Sequence, residues 1–135
     1  MKENWIVPCN IKQFNVIEYF NISDTVVWKN SFTIHKDDIV YIYVGAPYSE
    51  ILYKCVVISD DISDEILEEN SYAIVTKPSN NYFSKRIKYI QMRLIKSYEK
   101  NTFTLEDLKK HGLGQVQIQA RTDRRLQHYI ESIEG

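Results

Sequence analysis

The stretch "IVYIYVGAPYSEILYKCVVIS", residues 39–59, restricts the fold more than any other. Tyr41 and Tyr43 alternate with Ile42 and Val44, a period of two that suits a β-strand. "GAPY" then turns the chain, and "ILYKCVVIS" returns as a neighbouring antiparallel strand. A chain built around such a hairpin needs further strands or helices to cover it.

The flanking segments supply them. "NWIVPC" reads as a first strand, and "NIKQFNVIEYF" as a helix starting at Asn10 with Gln13 at capping-box spacing. Ile11, Phe14, Ile17 and Phe20 would share one side of that helix. "TVVWKNSF", residues 25–32, places Trp28 after two valines that are expected to face inward. The acidic segment offers Ser63 as a cap for a short helix, "YAIV" reads as a brief strand, and "IKYIQMRLIKSY", residues 87–98, as a long one with Ile90, Met92 and Leu94 on one face. "TLEDLKKHG" carries Thr104 and Asp107 at cap spacing, basic residues in its last turn, and Gly112 as terminator. A final helix after Thr122 has Leu126, Tyr129, Ile130 and Ile133 as its apolar stripe. Strands arranged mostly as hairpins, with helices between and after them, predict one α+β domain over residues 1–135, with a strongly curved mixed sheet or partial barrel.

Composition narrows the chemistry. The 135 residues carry 17 basic and 18 acidic side chains, but six of the acids lie in "SDDISDEILEEN", residues 59–70. The remainder holds 17 basic against 12 acidic groups, a balance that suits a polyanionic partner or an ordinary solvated surface. Cys9 and Cys55 sit in apolar runs without metal-ligand spacing and read as buried thiols. No apolar run approaches the ~20 residues that cross a bilayer, and "MKENW" does not open a signal peptide, so a cytoplasmic location is expected. P-loop and dinucleotide-binding signatures are absent. His35, His111 and His128 fall in polar contexts that suit surface residues better than a catalytic base. No catalytic residues, metal ligands or cofactor are therefore expected.

Taken together, "WIVPCN", "VVWKNS", "KDDIVYIYVGAPYSEILYKCVV" and "LEDLKKHGLGQVQIQARTDRRLQHYI" resemble the EVE domains of the PUA-like superfamily. The likeness is greatest to EVE-like modules of modification-dependent HNH restriction endonucleases, and it runs over essentially the whole chain. Two departures stand out. A Gly-Asp pair usually introduces the aromatic strand, where this chain has Asp37 and Asp38. A Gln-Gly-Pro-Arg-like segment usually precedes the last helix, where "QIQAR" keeps Gln117 and Arg121 without the Gly-Pro.

The resemblance implies a pseudo-barrel with flanking helices, whose pocket holds one flipped-out, often modified, base. It also implies kinship with YTH, ASCH and PUA domains. Trp28 then falls at an aromatic wall of the pocket and Asn10 at a base-edge contact. Tyr48 and Ser49 are candidates for the pocket mouth, with Tyr43, Asn30 and Ser31 as company. Lys85, Arg86, Arg121, Arg124 and Arg125 are candidate phosphate contacts. Each has a plainer reading: Trp28 as core, Asn10 as helix cap, Tyr43 as a sheet residue, the cations as a solvated face. The partner implied is DNA carrying a modified base such as a modified cytosine, read by a non-catalytic module with base flipping in a restriction or defence system. A nuclease would be fused or partnered. The alternatives are an RNA-binding PUA/YTH-like module and an ASCH-like protein for a small nucleotide or metabolite.

Overall fold

A computed structural model describes residues 2–30, 33–62, 88–114 and 119–134. Six strands form one mixed sheet: β1 (Asn4–Cys9), β2 (Thr25–Asn30), β3 (Ile39–Val44), β4 (Glu50–Ser59), β5 (Lys88–Ser97) and β6 (Ala120–Arg121). Their spatial order is β2-β5-β4-β3-β1-β6. Three described helices accompany them: α1 (Val16–Tyr19), α2 (Leu105–Lys110) and α3 (Arg124–Glu134).

The β3–β4 hairpin forms as its alternation predicts, with Ile39 opposite Val56 and Val44 opposite Glu50, and a register shift at Ile42/Tyr43. β5 lies antiparallel to both β4 and β2. β1 adds in parallel to β3, Trp5 opposite Val40, and receives β6 on its other side, Trp5 opposite Arg121. β3 thus has both edges paired, and all six of its residues are buried.

Alternation sends the two faces into two cores. One holds Trp5, Val7, Val26, Val40, Ile42, Cys55, Ile90 and Met92, drawn from five strands including the outermost, β2, so the sheet curls around this cluster. The other holds Ile6, Tyr41, Tyr43 and Ile51 against Phe103, Leu108 of α2, and Leu126 and Ile130 of α3. Each buried aliphatic or aromatic side chain of this kind contributes roughly 1.5 to 3 kcal/mol. The curl brings its two edges together: the Gln119 side chain, next to β6, donates from Nε2 to the Lys29 carbonyl of β2 at 2.6 Å.

Three local expectations need correction. The helix expected from Asn10 to Phe20 is a turn followed by the short α1, because Asn15 caps it: its Oδ1 accepts from the Glu18 amide at 3.1 Å. Asn10 instead closes a turn of its own, its carbonyl accepting from the Gln13 and Phe14 amides. The four apolar residues Ile11, Phe14, Ile17 and Phe20 still pack on the inner core. In β2 the valines do not share a face: Val26 and Trp28 point to the inner core, and Val27 points away from them. The α3 stripe buries Leu126 and Ile130, but Ile133 remains 48% exposed. The short helix capped by Ser63 and the "YAIV" strand fall outside the described residues.

Among the described residues no helix is long and apolar enough to cross a membrane.

Candidate functional site

The inner core is not sealed evenly. Ile11, Phe14, Ile17, Phe20, Trp28, Tyr48 and Leu94 are only partly buried where they pack on it. Trp28 takes its place there because β2 is an edge strand, paired on one side through Trp28 opposite Ile90. The Phe14 ring meets the indole edge-on at 5.8 Å. Phe14 also bonds through its amide to the Asn10 carbonyl at 3.0 Å, and accepts from Cys9 Sγ at its own carbonyl. One residue therefore ties the indole to Asn10. The aromatic file continues through Tyr19, Phe20 and Tyr53, at centroid spacings of 5.5, 5.9 and 4.8 Å.

Asn10 is exposed, and its Oδ1 accepts from the Lys12 amide at 3.0 Å. Its Nδ2 has no acceptor among the described residues, which leaves a donor facing solvent. Asn30 is committed to structure: Nδ2 donates to the Ile34 carbonyl and Oδ1 accepts from the Ile34 amide, at 2.9 and 3.3 Å. Tyr48 and Ser49 belong to the β3–β4 turn, where the Gly45 amide bonds to the Cys9 carbonyl and so sets the turn beside Asn10. Tyr43 lies at 4% exposure in the helix-covered core, on the opposite face of the sheet from Trp28.

The candidate phosphate contacts are scattered. Arg121 stands 3.7 Å from Glu3 and over the Trp5 ring at 5.7 Å. Arg124 is exposed at the start of α3. Arg125 donates to the Lys110 carbonyl at 2.7 Å, which draws the basic end of α2 towards α3. These two lie with the helices, not with Trp28. Ser31, Lys85 and Arg86 fall outside the described residues.

The thiols near the site are inert. Burial pushes Cys9 and Cys55 up to about 12, against an ordinary 9.0. Tyr53 is raised as well, by burial first and then by Tyr48 and Cys9 beside it.

Sequence reasoning passed over Phe14 as a pocket residue, Gln119 as the clasp and Glu50 as a buried acid. Phe14 was visible only as one apolar residue among four. Gln119 and Glu50 carry no local signal, since their roles depend on partners distant along the chain.

No protein-family model matches the sequence, and the comparison with curated proteins found no match. Solved structures do match. An ASCH protein from Zymomonas mobilis superposes with a TM-score of 0.64 at 11% identity, covering 96% of this chain and 94% of that one. A Ser-to-Ala variant of that protein gives 0.68 at 10% identity, covering 98% and 96%. The chain has an ASCH-like fold. A hypothetical protein from Leishmania major shares it, with a TM-score of 0.66 at 12% identity over 99% and 96% of the two chains. At such identities the ASCH-like architecture alone is what carries over.

Proposed function

We propose that this ASCH-like chain is a non-catalytic module that takes a flipped-out, modified base of DNA against Trp28. The observation that carries the reading is the half-buried indole packed on the inner core, joined through Phe14 to the exposed Asn10. A base stacking on one aromatic ring gains ~1 to 3 kcal/mol. The free Asn10 amide donor offers a partner for a base edge. A methyl-sized group pressed on such a wall adds roughly 1 to 3 kcal/mol, so discrimination between modified and plain cytosine is partial. The EVE-like order of sequence segments favours DNA and a restriction or defence setting, with cleavage supplied by a fused or partner nuclease.

Binding to duplexes with plain, methylated or hydroxymethylated cytosine, beside matched RNA, tests this. One modified duplex should bind about tenfold or more tightly than the plain one, and Trp28→Ala should remove that preference while the thermal transition persists. Equal, weak and salt-sensitive binding to all four would sink the reading, because phosphate contacts alone behave that way. The ASCH-like fold favours, as a second reading, an RNA- or nucleotide-binding role, and preference for the RNA arm would support it.

A further inference from the structure

The Tyr48–Glu50 turn and the segment from Asn101 into α2 enclose an open depression of about 550 Å³. Its lining includes Tyr48, Ser49, Glu50, Asn101, Thr104 and Lys109. The walls are fixed by backbone: the Leu105 amide bonds to the Ser49 carbonyl at 3.0 Å, and the Ile51 amide to the Phe103 carbonyl at 3.0 Å. Ser49 and Asn101 hold φ values of 52° and 68°, left-handed conformations that fix where this turn and loop point.

Glu50 is 4% exposed, yet it contributes to that lining. Its Oε1 accepts from the Asn101 amide at 2.8 Å. Its Oε2 has no hydrogen-bond partner among the described residues, and among them no sealed side-chain oxygen or nitrogen lacks one. Oε2 is therefore the part of Glu50 that opens on the depression. No basic group of the described residues stands within ion-pair distance of it, and Lys110 of α2 pairs with Glu106 at 3.6 Å.

A carboxylate this deeply set and without a counter-ion repels anions and attracts a cation that can also donate a hydrogen bond. Glu106 also lines the depression, but its carboxylate is 80% exposed and paired with Lys110, so one free buried oxygen remains, too poor a set for calcium or magnesium, which require several oxygen ligands. An ammonium group needs only one such oxygen plus hydroxyl acceptors, which Ser49 and Thr104 carry. We propose that this depression binds a small organic ammonium ion, with Glu50 as its counter-charge. Lys109 at the rim limits the cationic charge that the site accepts.

Titration of the whole chain with 1,4-diaminobutane, followed by amide chemical shifts, tests the proposal. Saturable shifts of the Ser49, Asn101 and Thr104 amides are expected, and neither 1,4-butanediol nor inorganic phosphate should reproduce them. Glu50→Gln keeps an acceptor for the Asn101 amide and should weaken diamine binding at least tenfold. Lys109→Glu should strengthen it severalfold, and Trp28→Ala should leave it unchanged while removing base binding, so the two sites fail separately. A diol that matches the diamine, undiminished binding in Glu50→Gln, no gain in Lys109→Glu, or no saturable shift in the millimolar range would each overturn the proposal.

Discussion

Asp38 is held at 1% exposure by three donors: the Glu3 amide at 3.0 Å, the Trp5 indole Nε1 at 3.0 Å and the His35 amide at 2.9 Å. One carboxylate thus joins the start of β1 to the turn before β3, and it positions the Trp5 ring on which Arg121 rests. Its neighbour Asp37 has φ 75°, the left-handed conformation in which glycine carries no Cβ penalty. The Gly-Asp pair of the resembling family therefore has a physical reading here: the first position needs a positive φ and the second a buried acceptor. Aspartate tolerates that φ better than most residues, which explains how the chain dispenses with the glycine. Asp37→Gly should raise stability by about 0.5 to 1 kcal/mol, since relief of the left-handed cost exceeds the added entropy of the unfolded chain. Chemical denaturation of the two chains checks it, and a loss of stability would show that Asp37 is not strained.

Among the elements, one described side chain, Gln119, spans the two edges of the curled sheet. Gln119 is 6% exposed, and its bond to the Lys29 carbonyl lies next in the chain to the residue paired with Ile90. Gln119→Ala leaves that carbonyl without its donor, and about 1 to 3 kcal/mol should be lost. Because Trp28 precedes Lys29, base binding should weaken more than the stability loss alone accounts for; parallel binding and denaturation measurements on this variant separate the two effects. Nothing in the sequence around Gln119 marks it. Elements fixed by local chemistry were legible: the β3–β4 hairpin from its alternation, and α2 from its Thr104 cap, whose Oγ1 accepts from the Asp107 amide at 3.2 Å, with Gly112 at φ 108° as its end. α1 was misread because Asn10 and Asn15 both carry cap chemistry, and only packing decides between them. Parallel addition of β1 to β3, and the separation of Tyr43 from Trp28 by the thickness of the sheet, depend on contacts between distant segments that no local pattern encodes. Of the candidate site residues, Trp28 and Asn10 are joined through Phe14, whereas Arg124 and Arg125 lie with the helices, a placement set by contacts between distant segments that the sequence does not encode locally.

For the molecule as a whole, the two inner-core thiols set an alkaline limit on stability. Both are raised to about 12 by burial, while in the unfolded chain they ionise near 9.0. Below pH 9 both states keep their protons and the stabilisation is complete; as pH rises towards 12 the unfolded state alone loses them, and stability falls. The slope is about 1.4 kcal/mol per pH unit for each thiol. Tyr41 and Tyr98, also raised chiefly by burial, act in the same direction. Thermal melts from pH 7 to 11 should show a midpoint that is flat at first and then declines steeply, with a shallower decline in Cys55→Ala. An unchanged midpoint at pH 11 would contradict the buried-thiol account. The order in which the chain is made bears on its outer edge as well. β1 leaves the ribosome before its pairing partner β6, since Trp5 lies opposite Arg121. Until Ala120 and Arg121 emerge, β1 offers an open strand edge to any neighbouring nascent chain, so the final residues of the sheet also act as its safeguard against self-association during synthesis.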